Sequence, residues 1–156
     1  IYSHIGYNLK ITDMQAALGI SQLRKLPDFI KRRRTNHLYY KKKFSKYEDF
    51  LFLPKKYEKS DPSWFGFLIT LSEKSPFSRN QIVNYLEERK IATRMLFGGN
   101  IVKQPAYSNK KYRLVSNLKN TDKIMNDSFW IGVYPGIDLD RMNYVVSVFD
   151  KFFMKF

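Results

Sequence analysis

The sequence predicts an α+β fold, a small antiparallel sheet covered by helices, and three observations carry that expectation. Helical periodicity dominates both ends, in a basic stretch before residue 47 and an apolar-striped stretch after residue 138. Between them, short aromatic and β-branched runs at 64–71, 91–96 and 129–133 alternate with helix signals. Finally, 44% hydrophobic and 17% aromatic residues give 156 residues enough apolar surface for a packed core, with no repeat or low-complexity stretch.

Each element has its own signal. Thr12 and Asp13 suit the cap of a helix over 14–23, whose positions Met14, Ala17, Leu18 and Leu23 form one face expected to be buried. Ala16, Ala17 and Gly19 would let another backbone come close. Pro27 suits the first turn of a second helix, reaching about residue 47. Residues 48–63, with Pro54 and Pro62, read as a connection into the first strand at 64–71. Ser78 and Gln81 form a capping box for a helix over 81–90. The second strand, 91–96, breaks at Gly98-Gly99-Asn100, and 104–107 reads as a short helical turn. A helix over 120–128 leads into the third strand, 129–133, which Pro135-Gly136 stops. Asp138 caps the last helix, where Met142, Val145, Val146, Phe149, Phe152 and Phe153 step by three or four. The expected division is a helical link at 1–47 and a small α+β domain at 48–156.

Composition narrows the function. A formal charge of +14, from 28 Lys and Arg against 14 Asp and Glu, points to an anionic partner: nucleic acid, lipid or a phosphorylated small molecule. Much of it lies in Lys31-Arg32-Arg33-Arg34 and Lys41-Lys42-Lys43, which read as a solvated helix face. Trp64, Phe65 and Trp130 sit in strands and read as core, which counts against a nucleic-acid-binding module. With no cysteine, disulfides, thiolate metal sites and a cysteine nucleophile are excluded within these residues, and a reducing cytoplasm fits. No apolar run is long enough to span a bilayer, so no membrane insertion is expected. The opening Ile1-Tyr2-Ser3-His4 reads as a cut inside a longer chain. His4 and His37 stand in no metal-ligand spacing, His37 reads as a surface or packing residue, and Glu87-Glu88 read as solvated. No glycine-rich phosphate loop is present. The expectation is therefore no metal site and no catalytic residue within this chain.

Two segments are richer than packing requires. Residues 3–10 set His4, Tyr7, Asn8 and Lys10 beside Gly6 just before a helix, where Asn and Lys can hydrogen-bond an anion, or Asn8 can satisfy a turn. In 93–100 an Arg in a strand leads into a Gly-Gly-Asn loop. A buried Arg94 needs an anion, which can be a phosphate or a structural carboxylate.

Gly6-Tyr7-Asn8-Leu9-Lys10-Ile11-Thr12-Asp13-Met14-Gln15-Ala16-Ala17 resembles the stretch that follows the cofactor site in the sugar-nucleotide aminotransferases of the DegT/DnrJ/EryC1/StrS family, which are fold-type-I pyridoxal-phosphate enzymes. Ser60-Asp61-Pro62-Ser63-Trp64-Phe65-Gly66-Phe67, the Thr93 to Asn100 segment, Gln104-Pro105-Ala106-Tyr107 and Phe129-Trp130-Ile131-Gly132-Val133-Tyr134-Pro135-Gly136 are similar to the branch of CDP-4-keto-6-deoxyglucose 3-dehydrases of dideoxysugar and O-antigen biosynthesis. The resemblance runs end to end. It implies the C-terminal domain of a homodimeric cytoplasmic enzyme whose cofactor, pyridoxamine phosphate or pyridoxal phosphate, is held mainly by an upstream domain. It also implies a histidine there in place of the Schiff-base lysine, and dehydration at sugar C3 instead of amino transfer. Some members carry a 2Fe–2S cluster, again upstream, and work with a reductase. By position, Asn8 and Lys10 match cofactor-phosphate ligands, Lys10 standing where many members have Arg. Arg94, Asn100, Gln104, His4 and Tyr7 match the side that meets the CDP-sugar substrate. The rival readings are a lysine-dependent sugar-nucleotide aminotransferase, a basic nucleic-acid-binding module, and an interaction domain with no ligand.

Overall fold

Apolar residues on one face of each element decide the architecture. The computed structural model describes residues 9–107 and 109–156. Its order is α1 (Asp13–Phe44), β1 (Leu51–Phe52), β2 (Gly66–Leu71), α2 (Arg79–Glu87), β3 (Thr93–Met95), α3 (Lys119–Asp127), β4 (Ser128–Gly132) and α4 (Leu139–Phe153). The four strands form one antiparallel sheet in the order β1-β2-β4-β3, so the expected α+β fold stands. Alternation in β2 sends Phe67, Ile69 and Leu71 to one face, joined across the register by Leu51, Phe129 and Ile131. Onto that core pack Tyr40 and Phe44 of α1, Ile82, Val83 and Leu86 of α2, and Met142, Val146, Phe149, Phe152 and Phe153 of α4. The rings of Phe44 and Phe149, centred 4.4 Å apart, lock α1 against α4.

The expected caps are formed. Ser78 Oγ accepts from Gln81 N at 3.3 Å while Gln81 Oε1 accepts from Ser78 N at 2.7 Å. Thr12 makes the same box with Gln15, and Asp138 Oδ1 accepts from Arg141 N at 2.8 Å.

Three expectations change at α1. It is one 32-residue helix that passes through Pro27, instead of two helices divided there. A proline inside a helix removes one hydrogen bond but does not have to end it. The face expected to be buried near the start is open: Met14, Leu18 and Leu23 are all exposed. At about 1.5 Å per residue α1 is roughly 48 Å long, while the six residues of β2 reach roughly 20 Å. Only the C-terminal half of α1 therefore lies over the sheet. Nor are the arginines of the basic run merely solvated. Arg32 donates to Pro135 O, Arg33 to Trp64 O and Phe65 O, and Arg34 to Pro62 O and Asp61, tying α1 to two loops. The two-residue β1, inside the expected connection, is too short to show any sequence period.

Candidate nucleotide-sugar loop

The edge strand β3 and the loop it leads into carry three of the expected site residues, Arg94, Asn100 and Gln104. Glu87, expected to be solvated, fixes its start: Oε1 accepts from Thr93 N at 2.5 Å and Thr93 Oγ1 at 2.7 Å. Arg94 is the next residue, opposite Trp130 in the register. It is not buried, as the sequence suggested, but exposed, and it makes no ion pair or hydrogen bond with another described side chain. The reason is its place: β3 is an edge strand, and Arg94 alternates away from the core face.

The sheet face around Arg94 is aromatic. Trp130 meets Phe65 at 5.0 Å and Phe97 at 5.2 Å, ring centre to ring centre. Phe65 and Trp130 are thus not core residues; Phe65 is 64% exposed and Phe97 80%. Trp64 is partly buried and packs against the core, as expected. The strand expected from residue 64 begins only at Gly66, so Trp64 and Phe65 lie ahead of β2 and are not set by its alternation.

Backbone geometry builds the rest of the loop. Phe97 has φ +49° and Gly99 φ +61°. A Cβ on Gly99 would lie 2.3 Å from Met125 Cγ and 2.9 Å from its Cα, so only glycine lets the loop approach α3. Asn100 is 2% exposed, and its Nδ2 donates to Asp122 Oδ1 at 2.7 Å while its Oδ1 accepts from Val102 N at 3.3 Å. Lys103 Nζ donates to the other Asp122 oxygen at 2.8 Å. Those hydrogen bonds, from Lys103 first and then Asn100, hold the Asp122 carboxyl below the usual carboxylate range. Gln104 Nε2 closes the loop on Gly98 O at 2.6 Å. Asn100 and Gln104 therefore spend their polar groups on the loop itself, and Arg94 presents an uncommitted charge at its entrance.

Of the residues matched to the cofactor phosphate, Lys10 lies three residues ahead of α1, exposed, with no hydrogen bond or ion pair to any described residue. One exposed ammonium is no phosphate cradle, so the described residues by themselves do not fit a B6 cofactor. His4, Tyr7 and Asn8 lie outside the described residues. His37 is a packing residue, 2% exposed and stacked on Trp64 at 3.9 Å. Among the described residues no group of His, Asp and Glu is arranged to hold a metal ion. No helix among them is long and apolar enough to cross a membrane.

Comparison with known proteins gives concordant matches. The model of the DegT/DnrJ/EryC1/StrS aminotransferase family matches residues 1–150. The chain is 54% identical over 152 residues to the lipopolysaccharide biosynthesis protein RfbH of Salmonella typhimurium, covering 97% of this chain and 35% of that protein. It is 47% identical over 154 residues to dTDP-4-dehydro-2,6-dideoxy-D-glucose 3-dehydratase of Saccharopolyspora spinosa, covering 99% of this chain and 33% of the other. Among solved structures, Escherichia coli GDP-4-keto-6-deoxy-D-mannose-3-dehydratase with bound hydrated PLP superposes with a TM-score of 0.80 at 32% identity, over 92% of this chain and 36% of that one. The chain spans about a third of the length of the relatives it matches.

Proposed function

This chain belongs to the DegT/DnrJ/EryC1/StrS aminotransferase family, and we propose that within it the chain is the C-terminal part of a 3-dehydratase acting on CDP-4-keto-6-deoxyglucose in O-antigen dideoxysugar biosynthesis. The observation that carries the reading is the similarity, over nearly the whole chain, to proteins named as 3-dehydratases of nucleotide-linked deoxysugars. Pyridoxamine phosphate, held by an upstream domain, would supply the electron sink that dehydration at C3 requires. This chain supplies a charged contact for the substrate. Arg94 meets the diphosphate or the sugar, in front of a loop held rigid by Asn100, Asp122, Gly99 and Gln104. His4 and Tyr7 line the same pocket, while Asn8 reaches the cofactor phosphate of a second subunit, with Lys10 beside it. Residues 1–47 link a cofactor domain to the small domain, the enzyme is a cytoplasmic homodimer, and the 156-residue piece alone is inactive. A 2Fe–2S cluster upstream and a reductase partner would serve the step after dehydration.

The aminotransferase reading remains the nearest competitor, and one experiment separates the two. The intact protein is incubated with pyridoxamine phosphate and CDP-4-keto-6-deoxyglucose in 18O-labelled water. Loss or exchange of the C3 hydroxyl supports the dehydratase. An amino sugar formed at the expense of glutamate would replace it with a transaminase. Against the nucleic-acid reading stands the engagement of Arg32, Arg33 and Arg34 by backbone carbonyls and Asp61, whereas Phe65 and Trp130, no longer core, do not count against it.

A further inference from the structure

The face of the sheet that carries Arg94 is built around exposed rings. Arg94 and Trp130 are direct partners in the β3–β4 register, so both side chains leave the same face. Gly66, on the strand at Trp130's other side, seats the indole, since a Cβ there would lie 3.3 Å from Trp130 Cγ. Phe97 stands at 83° to that indole and Phe65 at 51°. Of the three rings, Phe97 is the one that packing does not explain. It is 80% exposed and takes φ +49°, a left-handed conformation that bulky side chains rarely adopt. The loop imposes that conformation: Phe97 N donates to Met95 O at 2.8 Å, Gly99 N to Leu96 O at 3.1 Å, and Gln104 Nε2 to Gly98 O. A strained backbone that holds a large ring out into solvent is a feature of ligand clamps.

We propose that Phe97, backed by Trp130, selects a 6-deoxyhexose: its ring packs on the C5–C6 methyl edge of the sugar while Arg94 holds the diphosphate. This rests on the nucleotide-sugar reading of the loop given above. Reach and polarity both favour the sugar over the base as the group on Phe97. The hexose is joined through a single oxygen to the diphosphate that Arg94 meets, whereas the base lies a whole ribose beyond it. The polar side chains of the loop are turned onto the loop: Asn100 bonds Asp122 and Val102 N, Lys103 pairs with Asp122, and Gln104 Nε2 bonds Gly98 O. A methyl group laid on Phe97 gains by leaving water. A 6-hydroxyl in the same place would give up its water for a ring that cannot replace it.

The test is equilibrium dialysis of the intact protein against CDP-6-deoxyglucose and against CDP-glucose, which differ only in the C6 hydroxyl and lack the keto group that reacts. The unaltered protein is expected to favour the 6-deoxy sugar roughly ten- to hundred-fold, and Phe97→Ala to cut that preference to about three-fold or less. Phe97 lies largely outside the core, so its truncation leaves the fold standing. Arg94→Ala is expected to weaken both ligands alike, because both carry the diphosphate. An unchanged preference in Phe97→Ala overturns the assignment. So does a lowered melting temperature with the preference intact, which would make Phe97 a contact with the upstream part of the protein. Failure to bind either ligand would overturn the nucleotide-sugar reading, and this assignment with it.

Discussion

Arg94 and Gly99 sit five residues apart in the same loop and make opposite predictions. Arg94 makes no hydrogen bond or ion pair with another described side chain, so Arg94→Ala should leave the melting temperature of the intact protein nearly unchanged. If it binds the nucleotide sugar, the loss of a charged hydrogen bond, about 1.5–3 kcal/mol, should raise KM roughly ten- to hundred-fold. An unaltered KM would remove Arg94 from the site. Gly99→Ala acts on folding instead. Its Cβ would meet the Met125 backbone in a left-handed conformation, at a cost of about 2 kcal/mol or more, read as a lower urea midpoint. The sequence marked both positions through the same Arg-to-Gly-Gly-Asn pattern. It gave no sign that Asn100 would turn inward, because its partner Asp122 comes from α3, 22 positions along the chain.

At the scale of elements, α1 is the one whose stability is least evenly spread. Its C-terminal half carries Tyr40 and Phe44 into the core, whereas residues 13–28 are almost wholly exposed, Ala16 being half-buried. Pro27 interrupts the hydrogen bonding within that exposed part. Pro27→Ala should restore the missing bond and strengthen the helix by up to about 3 kcal/mol, seen as slower amide exchange around the substitution. Unchanged exchange there would mean that neighbouring packing had already absorbed the defect. Ser78→Ala, which removes one arm of the α2 capping box, should cost about 1 kcal/mol in global unfolding. The caps of α2 and α4 were legible because they are local, three residues from donor to acceptor. The fate of Arg32, Arg33 and Arg34 was not, because their acceptors lie about 30 to 100 positions away.

For the whole molecule, pH should act through His37, which sits between α1 and the loop before β2. Its pKa in the folded chain, about 4, lies below the 6.5 of the free side chain. Between these values the unfolded chain binds the extra proton, so stability is full above pH 6.5 and falls as pH drops toward 4. The slope should approach about 1.4 kcal/mol per pH unit within that window. A urea midpoint that stays flat from pH 7 to pH 5 would show that His37 is solvated in solution.

Taken alone, the sequence determined the α+β class, the order of helices and strands from β2 onward, most caps and the family, because each depends on local period, local hydrogen bonds or contiguous motifs. It placed the candidate loop correctly at the end of the second strand it foresaw, now β3. Only the tertiary structure decided which side of the sheet each of these residues joins. It turned Trp64 toward the core, left Phe65 and Trp130 on the Arg94 side, and buried His37 beside an uncommitted Lys41. The physical reason is common to all of these: burial depends on which elements pack on either face of the sheet, and those partners are remote in sequence.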